Sequence, residues 1–182
     1  SAIGTVFALK VEMTAMPQMV GLLNGFGGAA SALVGMAEYY KVDASPEDIS
    51  LKIALTVSLS VLIGAVTFTG SLIAYGKLQG TISGNSVQYK FQHPINFILL
   101  LGTLVLIVLL VTDPHTEWYL YTVLGVSLLL GVLLVIPIGG ADMPVAVSLL
   151  NSYSGLAGSA TGFVLDNNML IIAGALVGAS GI

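Results

Sequence analysis

The chain has 182 residues, of which 56% are hydrophobic and 8% are charged, with a mean hydropathy of +1.00. Soluble domains carry about 25% charged residues, so a soluble globular protein is excluded and an integral membrane protein is expected. Five lysines without an arginine argue against a nucleic-acid partner, the lack of cysteine excludes disulfides and thiolate metal sites, and two distant histidines argue against a histidine metal site.

The hydrophobic runs predict an all-α, polytopic transmembrane helix bundle, because unbroken runs such as INFILLLGTLVLIVLLV do not suit a β-barrel. The predicted helices, in chain order, are 17–39, 50–75, 95–112, 118–138, 143–165 and 169–182. The last run, and a stretch at 1–9, are shorter than the roughly 20 residues of a span. We therefore expect a single transmembrane domain over residues 1–182, with about five full and two partial helices, as a fragment of a longer protein.

The loops sort the lysines onto two sides of the predicted bundle. Side A holds Lys10, Lys77 and Lys90, whereas side B holds Lys41 and Lys52 together with most of the acidic residues. Because cytoplasmic loops are enriched in lysine and arginine, this distribution predicts that side A is cytoplasmic. The chain would then continue into the cytoplasm after its last helix.

The predicted helices are of two kinds. Those at 95–111 and 118–138 are rich in Leu, Val and Ile and are expected to face lipid. The other four contain stretches of Gly, Ala, Ser and Thr, such as GFGGAASALVG and GLAGSATG. Small residues allow helices to approach closely in lipid, so these four are expected to form the interior of the bundle.

The sequence contains an internal repeat. MPQMVGLLNGFGGAASALVG, from Met16, aligns without gaps with MPVAVSLLNSYSGLAGSATG, from Met143, and nine of twenty positions are identical. Each copy is followed by a small-residue helix, GAVTFTGS from Gly64 and GALVGASG from Gly174. Four predicted spans separate the copies, so both begin on side A and the repeat is parallel, unlike the inverted repeats of many transporters.

Polar residues occur inside both copies. Asn24 and Asn151 lie seven residues beyond the prolines, about 10 Å along each helix at about 1.5 Å per residue. A buried amide in lipid needs a hydrogen bond, so these asparagines either hold helices together or form steps in a proton or ion path. Ser71 and Thr67, about a turn apart, extend that track, although such residues often bond only their own helix. Asp142 lies in the short GGADMP turn.

At these residues the chain resembles the membrane domain of the beta subunit of proton-translocating nicotinamide nucleotide transhydrogenase. The resemblance rests on KVEMTAMP, GAVTFTGS with AYGKLQG, GGADMPVAVSLLNSYSG and GALVGASG, and it covers nearly the whole chain. It implies an enzyme that couples inward proton movement to hydride transfer from NADH to NADP+. This chain would be the proton-conducting part without a cofactor, since it has no Gly-rich dinucleotide motif after a strand.

The resemblance also implies the partners and the location. NAD(H) would bind a soluble domain of the alpha subunit, and NADP(H) a soluble domain that follows the beta-subunit helices. The expected assembly is a dimer of protomers, multi-pass in the bacterial inner membrane, with a cytoplasmic C-terminus.

Among individual residues, the resemblance assigns Asn151 and Ser71 to the proton path and Asp142 to its cytoplasmic mouth. Asn24 stands where many relatives have a histidine thought to carry the proton, and asparagine does not titrate near neutral pH. Either Asn24 holds a water chain, or a titratable group comes from another helix. The glycines assigned to helix packing and coupling are Gly64, Gly70, Gly155, Gly174 and Gly178.

Two other functions remain open. A secondary transporter or ion channel built on parallel repeats would explain the paired asparagines, but all nine acidic residues fall near predicted helix ends, which leaves no intramembrane coupling charge. A membrane anchor and assembly module would need neither asparagine, so Asn24 and Asn151 would both tolerate leucine.

Overall fold

The computed structural model of the chain describes residues 2–43 and 50–181. Its α-helices within these ranges are α1 (Ala2–Lys10), α2 (Met16–Asp43), α3 (Leu51–Gln79), α4 (Gln92–Thr112), α5 (Glu117–Val135), α6 (Met143–Val164) and α7 (Asn168–Ser180). The all-helical fold predicted from the hydrophobic runs is confirmed. Ser1 of the predicted stretch 1–9, residues 44–49 of the first predicted linker and Ile182 of the last predicted helix lie outside the described ranges.

Local sequence signals account for several helix ends. Ser50 caps α3 by accepting a hydrogen bond from the backbone N–H of Ile53. α3 ends at Gly80, whose φ of 80° lies in the left-handed region that favours glycine. Both α2 and α6 follow directly on a 3-10 turn, Met13–Ala15 and Gly140–Asp142 respectively, and both carry proline at the second helical position, where its missing N–H costs no hydrogen bond.

Four helices among the described residues are long and apolar enough to cross a membrane: Met13–Lys41, α3, α4 and α5. α6 has 22 residues, but its four serines, one threonine and one asparagine make it less apolar, and it is not among the four. α7 is a shorter apolar helix. The fold is that of a membrane protein, while the count of five full spans stays a prediction that depends on α6.

α3 lies at the centre of the bundle. It packs against α2, α5 and α6, and 56% of its most apolar 18-residue stretch is buried, compared with 17–33% in the other three spans. α4 packs mainly against α5 and exposes Phe97, Ile98 and Val108, as expected for a lipid-facing helix.

Two helices lie elsewhere than their composition predicts. α5, expected to face lipid, packs one face closely on α3, because Gly131 leaves room for the Val66 carbonyl and the Gly70 amide. α7, expected in the interior, packs mainly on α6 and buries only Gly174 and Gly178. Gly131 alone allows the close approach of the leucine-rich helix α5 to α3. The small residues of α7 meet mainly α6 and so have a neighbour from this chain on one side only.

The helix pairs α2–α3 and α6–α7 cross at equivalent glycines. A Cβ on Gly64 would lie 2.6 Å from the carbonyl oxygen of Gly28, and a Cβ on Gly174 would lie 2.6 Å from the carbonyl oxygen of Gly155. Neither contact leaves room for any side chain. Gly28 aligns with Gly155, and Gly64 with Gly174, in the two copies of the sequence repeat, so aligned glycines lie at a close helix contact in both pairs.

The other two predicted packing glycines also lie at helix contacts. A Cβ on Gly70 would lie 3.0 Å from Val135 of α5 and 3.1 Å from Leu150 of α6. A Cβ on Gly178 would lie 2.9 Å from the Leu156 side chain of α6. These positions agree with a packing role, while a role in coupling stays a prediction.

Candidate functional site

A buried polar pair joins α2 to α3. Asn24 Nδ2 donates a hydrogen bond to Ser71 Oγ over 2.9 Å, and the two residues are 9% and 0% exposed. Glycine on α2 allows this approach, since a Cβ on Gly25 would lie 3.2 Å from the Ser71 Cβ. The pair therefore satisfies an amide that would otherwise be costly inside lipid.

A groove of about 360 Å³ opens beside this pair, between α2 and α6. It is lined by Val20, Leu23, Asn24, Gly27, Asn151 and Ser154. Asn151 is exposed, and Ser154 Oγ donates to the backbone carbonyl oxygen of Asn24 over 3.4 Å. The structure thus brings three residues singled out in the sequence, Asn24, Ser71 and Asn151, to one level of the bundle.

The chemistry of the groove is that of amides and hydroxyls, which donate and accept hydrogen bonds without titrating near neutral pH. Among the described residues no titratable side chain lines it, and no cluster of histidine and carboxylate groups suited to a metal ion occurs. The groove residues of this chain can therefore hold water or a polar group by hydrogen bonds, but they do not take up or release a proton near neutral pH.

The two asparagines are counterparts in the repeat but lie in different surroundings. Asn24 is covered by Ser71 of α3, and the counterpart of Ser71 on α7 is Gly181. In the second helix pair the hydroxyl belongs to Ser152 of α6, the counterpart of Gly25, and it lies against Gly181. At the α2–α3 contact the glycine lies on α2 and the serine on α3, whereas at the α6–α7 contact the serine lies on α6 and the glycine on α7. Asn151 therefore meets no serine of the facing helix and lies in the groove.

Asp142 lies at the start of α6, exposed in the turn Gly140–Asp142. Its side chain makes no capping hydrogen bond. Asn151 follows nine residues later, which corresponds to a rise of about 13.5 Å at about 1.5 Å per residue. The structure places Asp142 at the end of the helix that carries Asn151 but does not bring the two side chains together.

Lys77, whose sequence position predicts a loop charge on side A, is a buried cation. It lies in the last turn of α3 and is 4% exposed. Its Nζ donates to the carbonyl oxygens of Asn85, Ile136 and Ile138 over 3.1, 2.6 and 2.7 Å, which uses all three ammonium donors. Lys77 thereby ties the loop after α3 to the turn that leads into α6. A lysine among apolar residues was the visible signal, but its acceptors are backbone groups that a sequence cannot identify.

Comparison with known proteins assigns the family. The family model for the NAD(P) transhydrogenase beta subunit matches residues 1–182. The NAD(P) transhydrogenase subunit beta of Rhodospirillum rubrum is 48% identical over 185 residues, which cover 99% of this chain and 39% of the relative. The same subunit from a designated strain of that species gives the same values.

The chain spans about two fifths of the length of these curated relatives. The chain belongs to the NAD(P) transhydrogenase beta subunit family.

Proposed function

We propose that this chain is the proton-translocating membrane part of NAD(P) transhydrogenase. In this proposal, inward proton movement through the bundle is coupled to hydride transfer from NADH to NADP+ in soluble domains outside the chain. The observation that carries the proposal is the Asn24–Ser71 hydrogen bond beside Asn151 in one groove. Polar groups at this depth are costly in lipid and are typical of ion or proton paths.

The open side of the groove supports a helix of the alpha subunit as partner. Asn151 is exposed at a depth of about 10 Å, where contact with lipid is unfavourable. A helix laid along α2 and α6 would cover it and supply the titratable group that Asn24 lacks. Asp142, exposed at the side A end of α6, would form the cytoplasmic mouth.

The remaining parts of the assembly follow from the family. NAD(H) would bind the soluble domain of the alpha subunit, and NADP(H) the soluble domain that follows the beta-subunit helices. The protomers would form a dimer in the bacterial inner membrane, with the C-terminal domain in the cytoplasm.

Replacing Asn151 by leucine in the complete enzyme tests the proposal. Wild-type enzyme in vesicles should pump protons during NADPH–NAD+ exchange, measured with a trapped pH-sensitive dye. Asn151→Leu keeps a side chain of similar size but removes the amide. It should therefore abolish both pumping and coupled exchange while the subunits still assemble.

Asn96→Leu is the matched control. Asn96 on α4 accepts a hydrogen bond from Tyr89 over 3.1 Å and is not among the groove residues, so its loss should leave pumping intact. Coupled rates in Asn151→Leu equal to those of the control would remove Asn151 from the mechanism.

A secondary transporter is the second candidate, favoured by the common glycine crossing of the two helix pairs. It predicts solute flux through vesicles that contain this subunit and no nucleotide. Proton movement that requires both nucleotides would exclude it.

A further inference from the structure

Polar side chains continue along the junction of α2, α3 and α6 beyond the groove. Ser60 of α3 lies 2.7 Å from Thr161 of α6, oxygen to oxygen, and both side chains are buried. Ser60 Oγ also lies within hydrogen-bond distance, 2.9 Å, of the Ser31 carbonyl on α2. The junction therefore has two polar levels, Asn24 with Ser71 nearer side A and Ser60 with Thr161 nearer side B.

The Ser60–Thr161 level has fewer protons than possible hydrogen bonds. The two hydroxyls can bond each other, while Ser60 can also donate to Ser31 and Thr161 to the Ala157 carbonyl at 2.9 Å. Each hydroxyl has only one hydrogen, so two hydrogens serve three contacts. The level thus has alternative arrangements that differ by rotation of a hydroxyl group.

Thr67 lies between these two levels on the same face of α3. It precedes Ser71 by four residues and follows Ser60 by seven, which are rises of about 6 and 10.5 Å at about 1.5 Å per residue. The side chain is 0% exposed, and it faces α2 at Gly28, where an added Cβ would lie 2.9 Å from the Thr67 Cβ.

The Thr67 hydroxyl differs from the other threonines in these helices. Its Oγ1 is buried and has no hydrogen-bond partner among the described residues. Thr69, Thr103 and Thr161 each donate to the carbonyl oxygen four residues earlier, the usual arrangement for threonine in a helix. An unpaired buried hydroxyl is unfavourable, so a group that accepts from it or donates to it at this position would be bound favourably.

We infer that Thr67 is a relay residue and that the proton path continues from Asn24 and Ser71 through Thr67 to Ser60 and Thr161. This inference rests on the proposed function. A hydroxyl relays by accepting a proton on a lone pair and releasing its own proton on the other side, so no bond to carbon changes and the hydroxyl ends neutral. The rises between levels exceed hydrogen-bond length, about 2.7–3.2 Å, so water molecules complete the path.

Thr67→Val in the complete reconstituted enzyme tests the inference, because valine keeps the shape and removes only the hydroxyl. We expect coupled proton translocation to fall about 100-fold, the lower end of what a positioned proton-transfer group contributes. Thermal stability should be kept or slightly raised, since the substitution removes an unpaired buried hydroxyl and leaves no partner unsatisfied. Thr67→Ser, which keeps a hydroxyl at this position, should translocate protons at close to the wild-type rate.

Thr103→Val is the matched control, because Thr103 is a buried threonine on α4 whose hydroxyl bonds its own helix. It should translocate at the wild-type rate. Thr161→Val is a second, independent variant that removes a hydroxyl from the Ser60 level and should also slow translocation.

The outcomes separate the inference from the proposed function. If the wild-type enzyme translocates no protons, the proposed function fails. If the wild type translocates and a folded Thr67→Val or Thr161→Val enzyme matches it, the proposed function stands and the relay is wrong.

Discussion

Replacing Gly28 by alanine should loosen the α2–α3 contact that supports the candidate site. The added Cβ would lie 2.7 Å from the Gly64 carbonyl oxygen, 2.9 Å from the Thr67 Cβ and 3.0 Å from the Phe68 nitrogen. Favourable carbon contacts lie at about 3.5–4.0 Å. Two of these three atoms are backbone atoms and cannot rotate away, so the helices must separate by several tenths of an ångström.

The expected loss of stability is the difference of two terms. Overpacking of a close contact costs about 1–3 kcal/mol, whereas alanine in place of glycine inside a helix recovers about 0.5–1 kcal/mol. The free energy of unfolding of Gly28→Ala should therefore fall by about 0–2.5 kcal/mol relative to wild type, and it should lie about 1–3 kcal/mol below that of a glycine-to-alanine variant without the clash.

Denaturant titration of the purified subunit in detergent micelles measures this change. Gly27→Ala is the control, because the next residue of the same helix has nothing within 4 Å of an added Cβ. The control should be as stable as wild type or slightly more stable. If Gly28→Ala were no less stable than Gly27→Ala, the close crossing of α2 and α3 would be refuted.

Two further stability predictions concern hydrogen bonds. In a double-mutant cycle of Asn24→Ala and Ser71→Ala, the coupling energy should be about 0.6 kcal/mol and at most about 1.7 kcal/mol, the range for polar contacts between membrane helices. If the stability losses of the two single variants simply add in the double variant, the hydrogen bond contributes nothing to stability. Lys77→Met should lower the free energy of unfolding by about 1–3 kcal/mol, because it removes the three hydrogen bonds that the ammonium group donates to the carbonyl oxygens of the loop and turn. Lys90→Met, at an exposed position, should change it by less than about 0.5 kcal/mol, and equal values for the two variants would contradict the role of Lys77.

Much of the fold could be predicted from local sequence. Hydropathy predicts helices because the backbone in lipid must satisfy its hydrogen bonds within the helix. The Met-Pro pairs mark the starts of α2 and α6 because proline suits the first helical turn. The repeat alignment pairs Gly28 with Gly155 and Gly64 with Gly174, and these glycines do form the two crossings.

The candidate site could be predicted only in part. Asn24 and Asn151 stood out as amides inside apolar runs, and Ser71 was assigned through the family resemblance. The three residues lie at one level of the bundle. Which asparagine is buried could not be predicted, because it depends on whether the facing helix presents Ser71 or Gly181.

The sequence by itself determined the helical membrane class, the small-residue contact surfaces and the polar residues that interrupt them, because these follow from composition and spacing along one helix. The tertiary structure alone decided that Lys77 binds three carbonyls, that Thr67 has no partner among the described residues, and that α5 rather than α7 packs on α3. Hydrogen-bond partners and exposure are set by what the neighbouring helix presents at the same level, and that neighbour lies far away in the sequence.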